Sequence, residues 1–248
     1  MKKTFIVAIA ILLSSVQLYA QDLKISFINT FNNEPLSFGK TYITPLGDTV
    51  SFTTLNYFIS NIKLVNQAGG VYTVPQDSSY HLLKHSDAGG QSIILNNVPA
   101  GEYKELIFTV GVDSLRNTLD VSRRTGALDV GTAARGMYWV WNSGYIFFKL
   151  EGKRVSAVDS LNKYFRYHIG GYGGYDKKTI NNIKIKTITL QNVYIKNGQN
   201  ATISIQVAID RFFNSITPIK VLEHPSVMWG QFSVLIADNY ATIFEIKK

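Results

Sequence analysis

Leu23, Ile25 and Phe27 stand at every second position among polar neighbours, the period of a strand with one face buried. The same reading fits residues 51–65, 92–95, 103–110, 145–150, 183–195 and 201–209. Turn signals separate these runs: Gln67-Ala68-Gly69-Gly70, Pro99-Ala100-Gly101, Glu151-Gly152-Lys153, Gly170 to Gly174 and Lys196-Asn197-Gly198. The last reads as an Asn-Gly hairpin turn. Val98 to Tyr103 places a Pro-x-Gly turn ahead of an alternating strand, common at strand tips in antiparallel sandwiches. Short strands at regular spacing, without alternating helices, predict an all-β fold: an antiparallel β-sandwich with Greek-key-like connections and a few short helices. Those helices are expected near Val158 to Lys163 and Phe232 to Tyr240. With no Pro-, Ser- or Gly-rich linker and no internal repeat, residues 21–248 read as one domain.

The first twenty residues follow a different pattern. Lys2 and Lys3 precede an uninterrupted apolar run from Phe5 to Leu13, then a polar break and Ala20 before Gln21. This is the layout of a cleavable secretory signal over residues 1–20, too short to span a bilayer, and no later run approaches the roughly 20 apolar residues of a spanning helix. The expected address is therefore periplasmic or secreted, with no transmembrane anchor. No cysteine follows Ala20 to carry a bacterial lipid anchor.

Lys and Arg number 25 against 17 Asp and Glu, and removing the signal's two lysines leaves 23 − 17 = +6. The basic residues are scattered, among them Lys63, Lys84, Arg123, Arg124, Lys184 and Lys186. Such a surface is solvated rather than shaped for nucleic acid. The chain has no cysteine, so stability must come from burial, and a metal site would have to use His, carboxylate, Met, backbone carbonyl, water or a modified side chain.

Candidate chemistry is sparse. Of the four histidines, His81 and His85 have the spacing of a helical metal pair, but turn residues beside them favour two separate surface or half-buried rings. His168 enters Gly170-Gly171-Tyr172-Gly173-Gly174, where glycine lets backbone approach a ligand. His224 stands alone. Trp139 and Trp141 share one face if their segment is a strand. Such an aromatic stripe reads as core on physical grounds alone. No serine elbow, zinc-protease helix or phosphate loop occurs, and the spacing of Asp113, Asp129, Glu151 and Asp210 selects no hydrolytic pair.

The segment Gly136-Met137-Tyr138-Trp139-Val140-Trp141-Asn142-Ser143-Gly144-Tyr145, continuing to Gly152, resembles the signature of the MbnP family, the methanobactin-associated periplasmic copper-binding proteins and their relatives, including a branch from Bacteroidetes. Leu55 to Leu64, Val98 to Tyr103, Thr109 to Asp113, Tyr167-His168-Ile169-Gly170-Gly171 and Asp238-Asn239-Tyr240-Ala241 follow in the family's order. The resemblance spans nearly all of residues 21–248 and implies a β-sandwich that is not an enzyme. It implies one copper held by two imidazoles and kynurenine, an oxidation product of tryptophan made by a di-haem enzyme of the cytochrome c peroxidase type. Carried onto this sequence, Trp139 or Trp141 is the residue for oxidation and His168 the best matched imidazole. The strand from Tyr57 to Leu64, where the family places another imidazole, has no histidine; His81, then His224, are the substitutes. The alternative is an exported interaction module that offers the aromatic face to a carbohydrate, peptide or surface partner without metal.

Overall fold

A computed structural model describes residues 21–87, 89–141, 144–155 and 163–247. Its strands are β1 (Leu23–Phe31), β2 (Glu34–Pro35), β3 (Thr41–Ile43), β4 (Thr49–Asn66), β5 (Val71–Thr73), β6 (Tyr80–Lys84), β7 (Ser92–Leu95) and β8 (Gly101–Val110), followed by β9 (Tyr138–Trp139), β10 (Gly144–Val155), β11 (Tyr164–Gly170), β12 (Lys184–Ile195), β13 (Ala201–Ala208), β14 (Ser226–Val227) and β15 (Phe244–Ile246). The α-helices are α1 (Ser114–Asn117), α2 (Asp210–Phe213) and α3 (Gln231–Tyr240). The signal expected over 1–20 and most of the helix expected from Val158 lie outside the described residues.

Two sheets face each other. The smaller runs β15-β13-β1-β2 with β7 also on β1; the larger follows β12-β8-β4-β10-β11-β14, with β3, β5 and β6 on β4 and β9 on β10. β4 organises the larger sheet. It pairs with β10 through its N-terminal half and with β8 through its C-terminal half. The change of partner falls near Asn61, at φ 52 and beside a register shift; asparagine is among the few residues that tolerate this region.

The core between the sheets is aromatic. Phe148 stacks on Tyr57 at 5.6 Å, on Phe212 at 5.5 Å and on Tyr240 at 5.3 Å, while Phe27 meets Tyr57 and Phe108 edge to face. A second cluster covers part of the outer face of the large sheet, where Phe58, Val112, Leu128, Met137, Trp139, Tyr145 and Phe147 are buried. The segment from Val112 to Trp139 thus acts as a partial third layer.

The all-β sandwich read from the alternation is the observed fold, with four differences of detail. β1 and β13 pair in parallel through eight register positions, Leu23↔Ala201 to Thr30↔Ala208. A parallel pair needs a long crossover, and residues 32–200 intervene. Asn197-Gly198 turns the chain but closes no hairpin, because β12 joins the large sheet and β13 the small one. Glu151-Gly152-Lys153 is not a turn: β10 continues through it, with a register shift against β4 between Glu151 and Gly152. A Cβ on Gly152 would lie 2.0 Å from the Ser51 carbonyl oxygen and 2.6 Å from the Phe165 ring. The glycine therefore serves close strand approach, which places Glu151 on a strand rather than in a loop. The helix expected at Phe232 to Tyr240 is α3, one residue longer.

Candidate functional site

Register decides which candidates meet. Lys149 on β10 stands opposite His168 on β11 and Asn56 on β4, while neighbouring Phe148 stands opposite Tyr57. Tyr57 and Phe148 point into the core, so His168, Lys149 and Asn56 occupy the outer face. Glu151, two residues beyond Lys149, shares that face.

His168 and Glu151 are bonded there. Glu151 Oε1 lies 2.6 Å from His168 Nε2, and its Oε2 accepts the Thr54 hydroxyl at 2.8 Å. Lys149 Nζ is 3.7 Å from Oε1 and donates to the Gly136 carbonyl at 3.2 Å. The His168 hydrogen bond, helped by Thr54 and Lys149 against the opposing effect of burial, holds the Glu151 carboxyl down at about 2. An ionised carboxylate only accepts. The proton of a neutral His168 therefore sits on Nε2, leaving the Nδ1 lone pair with no hydrogen-bond partner among the described residues. A histidine that donates one ring nitrogen to a carboxylate is oriented, and made more basic, for a metal at the other.

Gly170 lies two positions along β11 and faces the same side. A Cβ there would stand 2.9 Å from Trp139 Cζ3 and 2.3 Å from the Tyr145 carbonyl oxygen; the missing side chain is the seat of the Trp139 indole. At Gly171, φ +113, a Cβ would meet Trp229 Cζ3 at 3.2 Å. The two glycines after His168-Ile169 thus make room for two indoles. All three tryptophans of the chain gather here, with ring centroids 5.2 Å apart for Trp139–Trp141, 6.0 Å for Trp139–Trp229 and 6.2 Å for Trp141–Trp229. Trp139 is 5% exposed and Trp141 62%. The Trp139 indole nitrogen is buried without a hydrogen-bond partner.

The other histidines do not join this group. His81 stands opposite Ile59, which packs in the core between the sheets. It therefore faces the inside of the large sheet, whereas His168 faces the outside, and the two cannot converge on one ion. His81 and His85 lie along one extended segment, about 13 Å apart at strand rise, so the helical pair does not form either. His85 is fully used: Nδ1 meets the Asn29 amide and Nε2 the Leu36 carbonyl, both at 3.1 Å. The His224 ring packs on Phe232 with centroids 3.9 Å apart. Among the described residues, no group of three His, Asp or Glu could hold a metal ion. Nor do the four carboxylates pair. Asp113 accepts from Tyr80 and Asn61, Asp129 from Gly131 and Thr132, and Asp210 from the Asn32 amide.

His81 supplies a test of placement. Burial lowers its pKa from 6.5 to about 4, and its Nε2 has no hydrogen-bond partner. Between those pH values the unfolded chain takes up a proton that the folded chain refuses. Stability should fall as pH drops from 6.5 towards 4, by at most about 1.4 kcal/mol per pH unit from this group. Chemical denaturation across that range should show the decline, and His81→Leu should flatten it; equal slopes in the two proteins would refute the assignment.

Two residues near His168, Met228 in its groove and Trp229 among the indoles, gave no signal in the strand pattern. β14 runs parallel to β11 with Arg166↔Ser226 and Tyr167↔Val227; just past it, Met228 lines the same groove as His168 and Trp229 packs at Gly171. Met228, His168, Glu151 and Arg166 line one groove of about 390 Å³. A two-residue strand is too short for periodicity to reveal; the one available hint was that Trp229 is the third of only three tryptophans.

The MbnP family profile matches residues 20–229. The chain belongs to the MbnP family. The match takes in His168, Glu151, the Trp139 segment and the Met228-Trp229 stretch. Among solved structures, MbnP from Methylosinus trichosporium superposes with a TM-score of 0.59 over 86% of this chain and 82% of that one, at 16% identity. At that identity the likeness is one of fold. No curated protein matches the chain at a significant level. Among the described residues of this MbnP-family chain, no helix is long and apolar enough to cross a membrane.

Proposed function

We propose that this chain is an exported copper-binding protein, a periplasmic or secreted carrier or sensor rather than an enzyme, with its metal at His168 on the outer face of the large sheet. The reading rests on one juxtaposition. An imidazole oriented by a carboxylate, with its Nδ1 unbonded, shares a face with a buried indole whose nitrogen has no acceptor. Family membership and the resemblance to methanobactin-associated copper proteins support copper as the metal, and the pattern of residues 1–20 supports export.

The donor set fits copper in kind but not as two imidazoles, since His81 and His224 lie elsewhere. His168 would hold the ion through Nδ1, while Glu151 keeps the Nε2 proton and fixes the ring. Trp139, rather than Trp141, is the residue for oxidation to kynurenine. It lies on the His168 face, and an unpartnered buried N–H is costly to keep, about 1–3 kcal/mol. Kynurenine would offer copper an aniline nitrogen and a carbonyl, which an indole cannot. The exposed Trp141 leaves an aromatic edge within reach of the di-haem enzyme expected as partner.

Metal analysis of protein isolated from its native host, with mass spectrometry across Gly136 to Lys149, tests the reading. One copper per chain and the mass of kynurenine at position 139 are expected. His168→Asn should weaken copper binding at least about tenfold. Unmodified tryptophans and no copper affinity tighter than about micromolar would overturn it.

A second reading has its own observation. Val140 is 88% exposed, Trp141 62% and Tyr175 79%, and Trp141 touches Trp229, which with Tyr175 lines a neighbouring groove. That surface suits an interaction module binding a carbohydrate, peptide or surface partner. Glycan or peptide capture abolished by Trp141→Ala, in protein free of metal, would favour it.

A further inference from the structure

Resting on the copper reading, we propose that Met228 gives the same ion a thioether donor, so that the centre is an imidazole–thioether site selective for Cu(I).

Its position comes from the sheet. The parallel register of β14 on β11 brings Met228 beside His168. Along this edge Ser226 is exposed and Val227 buried, and Met228, just past the strand, lines the outer-face groove that His168 shares. Met228 lines the groove with His168 and Glu151, and it also packs against the cluster that contains Trp139. It thus borders both the imidazole's groove and the cluster that holds the indole.

The chain offers little other soft chemistry. It has no cysteine and three methionines. Met1 lies outside the described residues, and Met137 is 1% exposed in the outer cluster. Met228 is the one that lines the His168 groove. Thioethers bind Cu(I) far better than Cu(II), whereas imidazole accepts either. Charge points the same way, because Arg166 in the groove lining offsets the single carboxylate of Glu151, and a monovalent ion then meets less repulsion than a divalent one.

The test uses the full mature protein from its native host. Cu(I) is titrated anaerobically against a chromogenic chelator, Cu(II) against a competing amino acid, and the copper-loaded protein is examined by X-ray absorption. Met228→Leu, a swap of similar volume, should keep the thermal midpoint, weaken Cu(I) at least about tenfold and leave Cu(II) within about twofold. The wild type should show a sulfur neighbour of copper that the variant lacks. If the wild type binds Cu(I) through His168 but shows no sulfur neighbour, and Met228→Leu binds equally, the thioether is refuted while the copper reading stands. If the wild type binds neither ion, both fall. The absorption measurement needs no variant, so a misfolded Met228→Leu would not protect the proposal.

Discussion

Gly170→Ala should destabilise the protein by at least about 3 kcal/mol, the upper end of overpacking, and release Trp139 from its seat. The added methyl would lie 2.3 Å from the Tyr145 carbonyl oxygen and 2.9 Å from Trp139 Cζ3. Only the ring can swing away; the carbonyl belongs to β10, whose pairing with β11 includes Ile146↔Gly170. Relief therefore requires the two strands to separate beside His168 and the seat of the indole. Guanidinium unfolding should show the loss. Tryptophan emission of the folded variant should shift to longer wavelength as the 5% exposed Trp139 meets water. An unchanged midpoint with unchanged emission would mean that the glycine does not make the seat.

Asn239→Ala should cost still more, about 4 kcal/mol. The Asn239 side chain is fully buried on α3 and makes four hydrogen bonds. Its Oδ1 accepts from the Ile216 amide at 3.1 Å and the Thr217 amide at 2.9 Å, and its Nδ2 donates to the Phe212 carbonyl at 2.9 Å and the Thr217 carbonyl at 2.6 Å. Alanine would leave two amides and two carbonyls without their partner, the Phe212 carbonyl fully buried and the Ile216 and Thr217 groups partly so, each at about 1 kcal/mol. The damage should spread, because the next residue, Tyr240, stacks on Phe148 and bonds the Asn182 carbonyl. Urea denaturation checks this, and a loss below about 1 kcal/mol would show that water replaces the side chain's bonds.

Asn239 also shows what the signature stretches encode. In Asp238-Asn239-Tyr240, Asp238 pairs with Lys184 at 2.5 Å, Asn239 fastens the 212–217 turn and Tyr240 fills the core. Those residues build the sandwich. In Tyr167-His168-Ile169-Gly170-Gly171 the roles divide: Tyr167 and Ile169 are core, His168 faces outward, and the glycines admit indoles. The resemblance marked both stretches alike, and only packing separates their tasks. Local pattern misled at Glu151-Gly152-Lys153, because a glycine needed for close approach has the same letter as one needed for a turn. That misreading hid the strand position from which Glu151 meets His168.

The sequence by itself determined the fold class. Alternation over 51–65, 92–95, 103–110 and 183–195 marks residues that must bury one face, and burial acts position by position wherever the partner strand comes from. It also determined that no thiol takes part in any chemistry of this protein. The tertiary structure alone decided which residues meet. His81 and His168 are equivalent letters in the sequence, yet register turns one into the core and the other outward, because a shift of one position in a strand exchanges its faces. Met228 and Trp229 reach His168 and Trp139 through a two-residue parallel pairing between segments some sixty residues apart. No local preference encodes such a contact, since its favourable energy exists only once both strands are in place.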